Sequence, residues 1–312
     1  MDAAAGARPY GVALQPAVAA LATDALAVGI GGTLPTNKHY LATKGIGAGT
    51  LQRALKELRA GEAVEVVSRG HMGRVVTDLD IAAVWRAAWL PPVRMVLPPA
   101  GPVEITELQQ VVAEALTELG IPHTVQHLRG GSARLAMAAA GEADLVVVSA
   151  GTLAADRDPF QHRALGLGTY YGPDRIAVVR RRGDHEPPRR VAVDPDSPDH
   201  RAITEGEFPP GGRYEYVTVP FPRVPAAVLS HQADIGIWHI TPSVVPLDLA
   251  GLILAQLAEP AGIAAWQQAS EAVVVASQRR TELAAVMAGL DVATLVERQA
   301  AAIAGDSGLV PT

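Results

Sequence analysis

The run Ala-Asp followed by an apolar strand occurs twice in this chain, at Glu142-Ala-Asp-Leu-Val-Val-Val-Ser149 and at Gln232-Ala-Asp-Ile-Gly-Ile-Trp238. Each follows a helix-forming stretch and is short, apolar and bounded, which predicts a buried strand closing a βαβ unit. A strand buried on both faces needs helices on both sides, so the repeat commits the chain to two similar α/β halves. The 312 residues leave room for a further small domain, and 49% apolar content supplies the cores. Only 19% of residues are charged, which argues against general disorder. Cysteine is absent, which removes disulfides, thiolate zinc sites and a cysteine nucleophile together. The most apolar stretches, 13–32 and 244–266, are interrupted by Pro16 and Asp24, and by Asp248, Glu259 and Pro260, so no membrane span is expected. No basic start precedes an apolar run at the N-terminus, and a cytoplasmic location is the expectation.

A different pattern precedes the α/β region. Leu14, Val18, Leu21 and Leu26 lie at helical spacing, and Gly29-Ile-Gly-Gly ends that helix. Thr36 is placed to cap a short helix over 37–44, and Gly45-Ile-Gly turns the chain. A second helix over 49–58 sets Leu51, Leu55 and Leu58 on one stripe and leaves Thr50, Gln52, Arg53 and Lys56 off it. Residues 63–67, 68–73 and 74–77 then read as strand, turn and strand. Taken in this order, the elements predict a winged helix-turn-helix over 10–78.

Charge follows the same division. The net charge is −6, yet residues 37–74 hold seven basic side chains against three acids, a net of +4, including all three lysines (Lys38, Lys44 and Lys56). Residues 85–312 carry −7. A basic patch on an acidic chain suits a polyanion, and double-stranded DNA is the expected partner. Gln52 and Arg53 suit base edges, Lys56 suits phosphate, and the hairpin with Arg69, His71 and Arg74 suits the backbone. Thr36, Lys38 and Thr50 complete the expected set. A merely solvated helix face is the other reading of these charges.

Leu34-Pro-Thr, Leu41-Ala, Gly45-Ile-Gly-Ala-Gly-Thr-Leu-Gln-Arg-Ala-Leu and Arg69-Gly-His-Met-Gly resemble the N-terminal domain of GntR-type regulators. The resemblance implies DNA binding through the second helix and the wing. Gly47 and Ala48 stand where that family has Ser and Arg, which shifts the expected contacts onto Lys38, Thr50, Gln52, Arg53 and the wing.

Asp80 is placed to cap a connecting helix bearing Ile81, Val84, Trp85 and Ala88, and Pro91-Pro92 ends it, giving a linker over 79–91. Trp85 and Trp89 are out of place on a free linker, so this helix is expected to pack on another surface, a second subunit among the candidates. A homodimer is expected, because one winged helix makes few contacts for operator affinity.

From Val93 the pattern is α/β to the C-terminus, and 92–312 is expected to form one effector-binding domain. No Gly-x-Gly-x-x-Gly follows the first strand, which separates it from dinucleotide-binding domains. Its two halves resemble the two-lobed periplasmic-binding-protein fold of the second type, which implies a ligand between lobes at the C-terminal strand ends. Over roughly 15–245 the chain is similar to the YhfZ family of bacterial regulators. The likeness is carried by Gly45–Arg53, Leu128-Arg-Gly-Gly-Ser-Ala-Arg134, Asp144-Leu-Val-Val-Val-Ser149, Gly172-Pro, Val193-Asp-Pro-Asp-Ser197 and Asp234-Ile-Gly-Ile-Trp-His-Ile240.

Within that frame most candidate effector residues end or follow strands, and Tyr171 sits where the two halves would join. Arg129, Gly131 and Ser132 open a helix whose N–H groups would hold a carboxylate or phosphate, or else form a plain cap beside a surface Arg. Ser149 ends a buried strand; Asp194 and Ser197 start a second helix or an Asx turn. Trp238 would wall the cleft or fill the core, and Tyr171 would line it or pack the hinge. A small anionic metabolite bound there through an unpaired Arg129 is the expectation. No Gly-x-Ser-x-Gly or Gly-x-x-x-x-Gly-Lys occurs, and neither a metal, a cofactor nor a catalytic role is expected. A metabolic enzyme on the same two-lobed fold is the alternative, and a transport protein is set aside on the missing signal.

Overall fold

The computed structural model describes residues 14–69, 73–156, 159–242 and 247–306. Two compact units form, one from 1–93, 114–124 and 276–290, the other from 94–113, 125–275 and 291–312.

The first unit begins with α1 (Gln15–Val28), which buries Val18, Leu21 and Leu26 and ends at Gly29, whose φ of 66° only glycine adopts without strain. β1 (Thr33–Leu34) follows, then α2 (Asn37–Lys44) and α3 (Ala48–Ala60). Thr36 caps α2 by accepting from His39 N at 3.2 Å, and Gly45 in the left-handed region closes it. The buried stripe of α3 is Leu51, Ala54 and Leu58; Leu55, expected inside, is half-buried because Ala54 lies nearer the centre of that face. β2 (Val64–Ser68) and β3 (Arg74–Leu79) pair antiparallel, and β1 joins the free edge of β3.

Asp80 caps α4 (Ile81–Ala88), accepting from Ala83 N at 2.8 Å. The segment expected as a linker over 79–91 holds this helix, which was expected to pack on another surface. α4 packs on α1, as does α11 (Leu283–Ala288), so C-terminal chain returns to complete this unit. Trp85 is buried there with the Arg280 guanidinium 5.6 Å from its ring, while Trp89 stays half exposed. Burying the indole inside one chain removes half of the apolar surface that pointed to a second subunit.

The second unit is built on two five-stranded sheets. One has the order β5-β4-β6-β13-β7, from His123–His127, Val93–Leu97, Leu145–Ser149, Ala272–Ala276 and Gln161–Ala164. The other has the order β10-β9-β11-β8-β12, from Glu215–Thr218, Arg190–Val193, Ile235–His239, Ile176–Arg181 and Leu252–Ala255. The chain crosses once between β7 and β8 and returns between β12 and β13. Helices α5 (Val103–Glu118), α6 (Gly131–Ala140) and α7 (Ala150–Ala155) belong to the first half; α8 (Pro198–Glu207) and α9 (Val224–Leu229) belong to the second. α10 (Pro260–Ala269) forms the return crossover, and α12 (Val292–Gly305) ends the described chain. Both expected repeats are buried strands, β6 and β11. The second sheet is mixed, because β8 runs antiparallel to both β11 and β12 while β9 is parallel to β10 and β11.

The repeated aspartates have a shared task. Asp144 accepts from Arg94 N at 2.9 Å and from Arg94 Nε at 3.0 Å. Asp234 accepts from Arg190 N at 2.9 Å and Nη2 at 2.7 Å. In each half, an aspartate just before one strand clamps the arginine at the start of, or one residue into, its parallel neighbour, which fixes their register. α8 and α10 pack backbone to backbone: a Cβ at Gly206 would lie 2.7 Å from Ala261, and one at Gly262 would lie 2.7 Å from Glu207. Glu207 in turn accepts from Ala258 N at 3.0 Å and Glu259 N at 3.1 Å, serving the open N-terminus of α10. No helix among the described residues is long and apolar enough to cross a membrane.

Candidate functional site

A cavity of about 570 Å³ opens within the second unit. Its walls are the loop 98–102 after β4, the start of α6, the segment 194–199 leading into α8, residues 170–171 of the first crossover, and the end of β11. Two helices thus aim their N-termini into one space, because in each half the turn after a central strand feeds a helix packed on the same sheet. Ser197 caps α8 by accepting from His200 N at 3.3 Å, while α6 starts at Gly130 with no side-chain cap.

Two ionic side chains are buried against this space. Arg134, on the inward face of α6, is 2% exposed. Its Nε donates to Val147 O, its Nη1 to Leu128 O (both 2.7 Å) and its Nη2 to Tyr170 Oη at 2.8 Å. Asp199, in the first turn of α8, is 6% exposed. Ser149 Oγ donates to its Oδ2 at 2.6 Å, Tyr171 Oη to the same atom at 3.3 Å, and Thr152 Oγ1 to Oδ1 at 3.2 Å. Burial raises the Asp199 carboxyl above the ordinary aspartate range, opposed by these three hydroxyls and by the charge of Arg134.

Around this pair the polar groups are fixed. Asp194 accepts from Phe221 N at 2.8 Å, and its own N–H donates to His200 Nδ1 at 2.9 Å. His200 donates from Nε2 to Ile237 O at 3.0 Å and is held neutral, its pKa brought down to about 4 by burial. His239 donates to Glu104 Oε1 at 2.8 Å, with Arg175 Nε 3.6 Å from Oε2. Burial would raise Glu104, but His239 and Arg175 outweigh it and hold the carboxyl low.

Arg129, Gly131, Ser132, Tyr171, Asp194, Ser197 and Trp238 all line the cavity. Ser149 does not: it is fully buried, caps α7 by accepting from Thr152 N at 3.0 Å, and supports Asp199 from behind. The expected free Arg129 is also corrected. Its Nη1 lies 2.5 Å from Asp194 Oδ2 and its Nη2 3.7 Å from Asp196, so its charge is already matched. Trp238 belongs to both readings, lining the cavity while packed in the second-half core.

Arg134 and Asp199 were not among the expected residues. A usable signal exists for Arg134, which falls in phase with Leu135 and Ala138 on the buried stripe of α6. A charge in phase with apolar positions marks a buried ion. Asp199 carries no such signal, since the buried face of α8 is itself polar, with His200, Thr204 and Glu207.

In the first unit, Lys38, Gln52, Arg53, Lys56 and Arg69 are exposed and Thr50 is half-buried. Gln52, Lys56, Arg59, Ser68 and Arg74 share a groove between α3 and the β2–β3 hairpin. Arg59 is tied to Glu65 at 2.7 Å and Arg74 to Asn37 at 3.0 Å. Lys38, Arg53 and Lys56 form no ion pair among the described residues. Thr36 spends its hydroxyl on the cap of α2, and His71 lies outside the described residues.

A model of the YhfZ C-terminal domain family matches residues 80–308. YhfZ of Escherichia coli (strain K12) is 28% identical over 234 residues, covering 73% of each chain. The crystal structure of YhfZ from Shigella flexneri superposes with a TM-score of 0.55 at 22% identity, covering 74% of this chain and 97% of that one. A periplasmic VFT2 domain of Bordetella pertussis BvgS superposes with a TM-score of 0.46 at 14% identity, covering 69% of this chain and 94% of that one. The two sheets and their two crossovers make the second unit a two-lobed α/β domain.

Proposed function

The chain belongs to the YhfZ family, and from that premise we propose that it is a ligand-responsive transcriptional regulator. In this reading residues 10–78 are a winged helix-turn-helix, with α3 entering the major groove and the β2–β3 hairpin as the wing. The observation that carries it is the division of α3, where Leu51, Ala54 and Leu58 are buried while Gln52, Arg53 and Lys56 stand exposed. Lys38 and Arg69 add positive charge for phosphate contacts. A small metabolite carrying an anionic group would occupy the cavity between the lobes, with that group at the start of α6 near Arg134. Ligand binding would then shift the balance between lobe arrangements and so between DNA-binding geometries. A cytoplasmic homodimer reading paired half-sites completes the proposal, and Trp89 offers exposed apolar surface for pairing.

The test is fluorescence anisotropy with duplex DNA from the region upstream of the gene. The wild-type chain should bind with an affinity that falls steeply with salt. Arg53→Ala should cost about 1–3 kcal/mol on the preferred sequence, and Lys56→Ala should weaken all sequences alike. Unchanged binding by the double variant would remove α3 as the recognition helix.

A further inference from the structure

We infer that the cleft ligand is a zwitterion, an amino acid in the broad chemical sense, with its carboxylate at Arg134 and its ammonium at Asp199. This rests on the reading of the cavity as a ligand site and names what that site selects.

Two side chains of opposite charge, both more than nine-tenths buried, line one cavity without pairing with each other. Arg134 spends its known hydrogen bonds on two carbonyls and one phenol, all neutral, and has no ion pair among the described residues. A guanidinium held away from water without an anion is strongly disfavoured, so its remaining N–H groups favour an anionic partner in the cavity. The neighbouring cation cannot take that place, because Arg129 is engaged by Asp194 at 2.5 Å.

Asp199 has the opposite need. Its Oδ2 receives two hydroxyls and its Oδ1 only one, which leaves Oδ1 the less satisfied oxygen. Asp194 and Asp196 share the cation Arg129 and so do not replace Asp199 as the unmatched acid of this wall. A plain anion would meet the Asp199 carboxylate, and a plain cation would meet Arg134. Only a molecule carrying both charges satisfies both buried groups at once. The aromatic rings of Tyr171 and Trp238 also line the cavity and favour an ammonium over a neutral group. The volume of about 570 Å³ admits a small molecule of this kind.

The experiment uses the full chain, thermal shift and calorimetric titration. The probes are the twenty standard amino acids with their β- and γ-amino counterparts, the matching 2-oxo acids, and the matching amines without the carboxylate. At least one amino acid should raise Tm and bind about a hundredfold more tightly than either matched compound. Asp199→Asn should lower that affinity about tenfold or more while improving binding of the 2-oxo acid, an inversion that loss of folding does not produce. Arg134→Lys, checked for a folded Tm, should bring the amino acid down to the affinity of the bare amine. If a 2-oxo acid binds the wild-type chain as tightly as its amino acid, the zwitterion inference falls and the cleft reading stands. If nothing in the panel binds, both fall.

Discussion

Ser149 Oγ donates to Asp199 Oδ2 at 2.6 Å, joining the end of a first-lobe strand to the first turn of a second-lobe helix. The same hydroxyl caps α7, so one side chain holds a helix start and a lobe contact together. Ser149→Ala should therefore destabilise the chain by about 1–3 kcal/mol, since it removes a cap and strips a donor from a buried carboxylate. Urea denaturation measures this, and Ser149→Thr, which keeps the hydroxyl, should recover most of the loss.

His200 sets a pH window. Its folded pKa of about 4 lies below the ordinary 6.5, so the unfolded chain binds the proton more readily. That contribution is fully present above pH 6.5 and is lost as pH falls toward 4, amounting to about 3 kcal/mol. Denaturation midpoints across this range should slope for the wild-type chain and flatten for His200→Gln. Asp234 is held down to about 2 mainly by Arg190 against the opposing effect of burial; its contribution is fully present above its ordinary 3.8 and is lost only as pH falls from there toward 2, so the two effects separate.

The paired clamps should differ in strength. Asp144 is almost fully buried, whereas the side chain of Asp234 is 21% exposed. Asp144→Ala empties a nearly fully buried carboxylate site and leaves the Arg94 N–H without its acceptor, although water still reaches the half-exposed Arg94 guanidinium, and should cost about 2–3 kcal/mol. Asp234→Ala should cost about 1–2 kcal/mol because water reaches the vacated donors. Equal costs in chemical denaturation would refute the burial argument.

Gly206→Ala should destabilise by about 1–3 kcal/mol or more, because its methyl meets backbone that has no rotamer to yield, and Gly262→Ala should destabilise too, because its methyl meets the Glu207 carboxylate that holds Ala258 N and Glu259 N. The thermal midpoint should fall with either variant, and the double variant should cost less than the sum, since one widened helix contact accommodates both.

Legibility tracked the kind of residue that each element buries. Strands β6 and β11 bury unbroken apolar runs, and their places are plain in the sequence. α8 buries Asp199, His200, Thr204 and Glu207, so no apolar period marks it beyond its Ser-Pro start. α10 is read poorly because small residues serve its close packing instead of a hydrophobic stripe. β1, two residues long, exists only as an added edge on β3. At the cleft, the glycines and serines at helix starts were readable from local order. The Arg129–Asp194 pair was not, because its partners stand 65 residues apart and only the fold brings them together.

Arg134 reaches beyond the cavity. Its Nη2 holds the hydroxyl of Tyr170, and the backbone N–H of Tyr170 donates to Ser270 O at 2.8 Å. Tyr170 lies on the outgoing crossover and Ser270 on the returning one, so both passages between lobes are pinned at one place. The place where the two crossovers meet thus lies within two hydrogen bonds of that guanidinium. A ligand charge placed on Arg134 would therefore act where the two crossovers of the second unit are tied together.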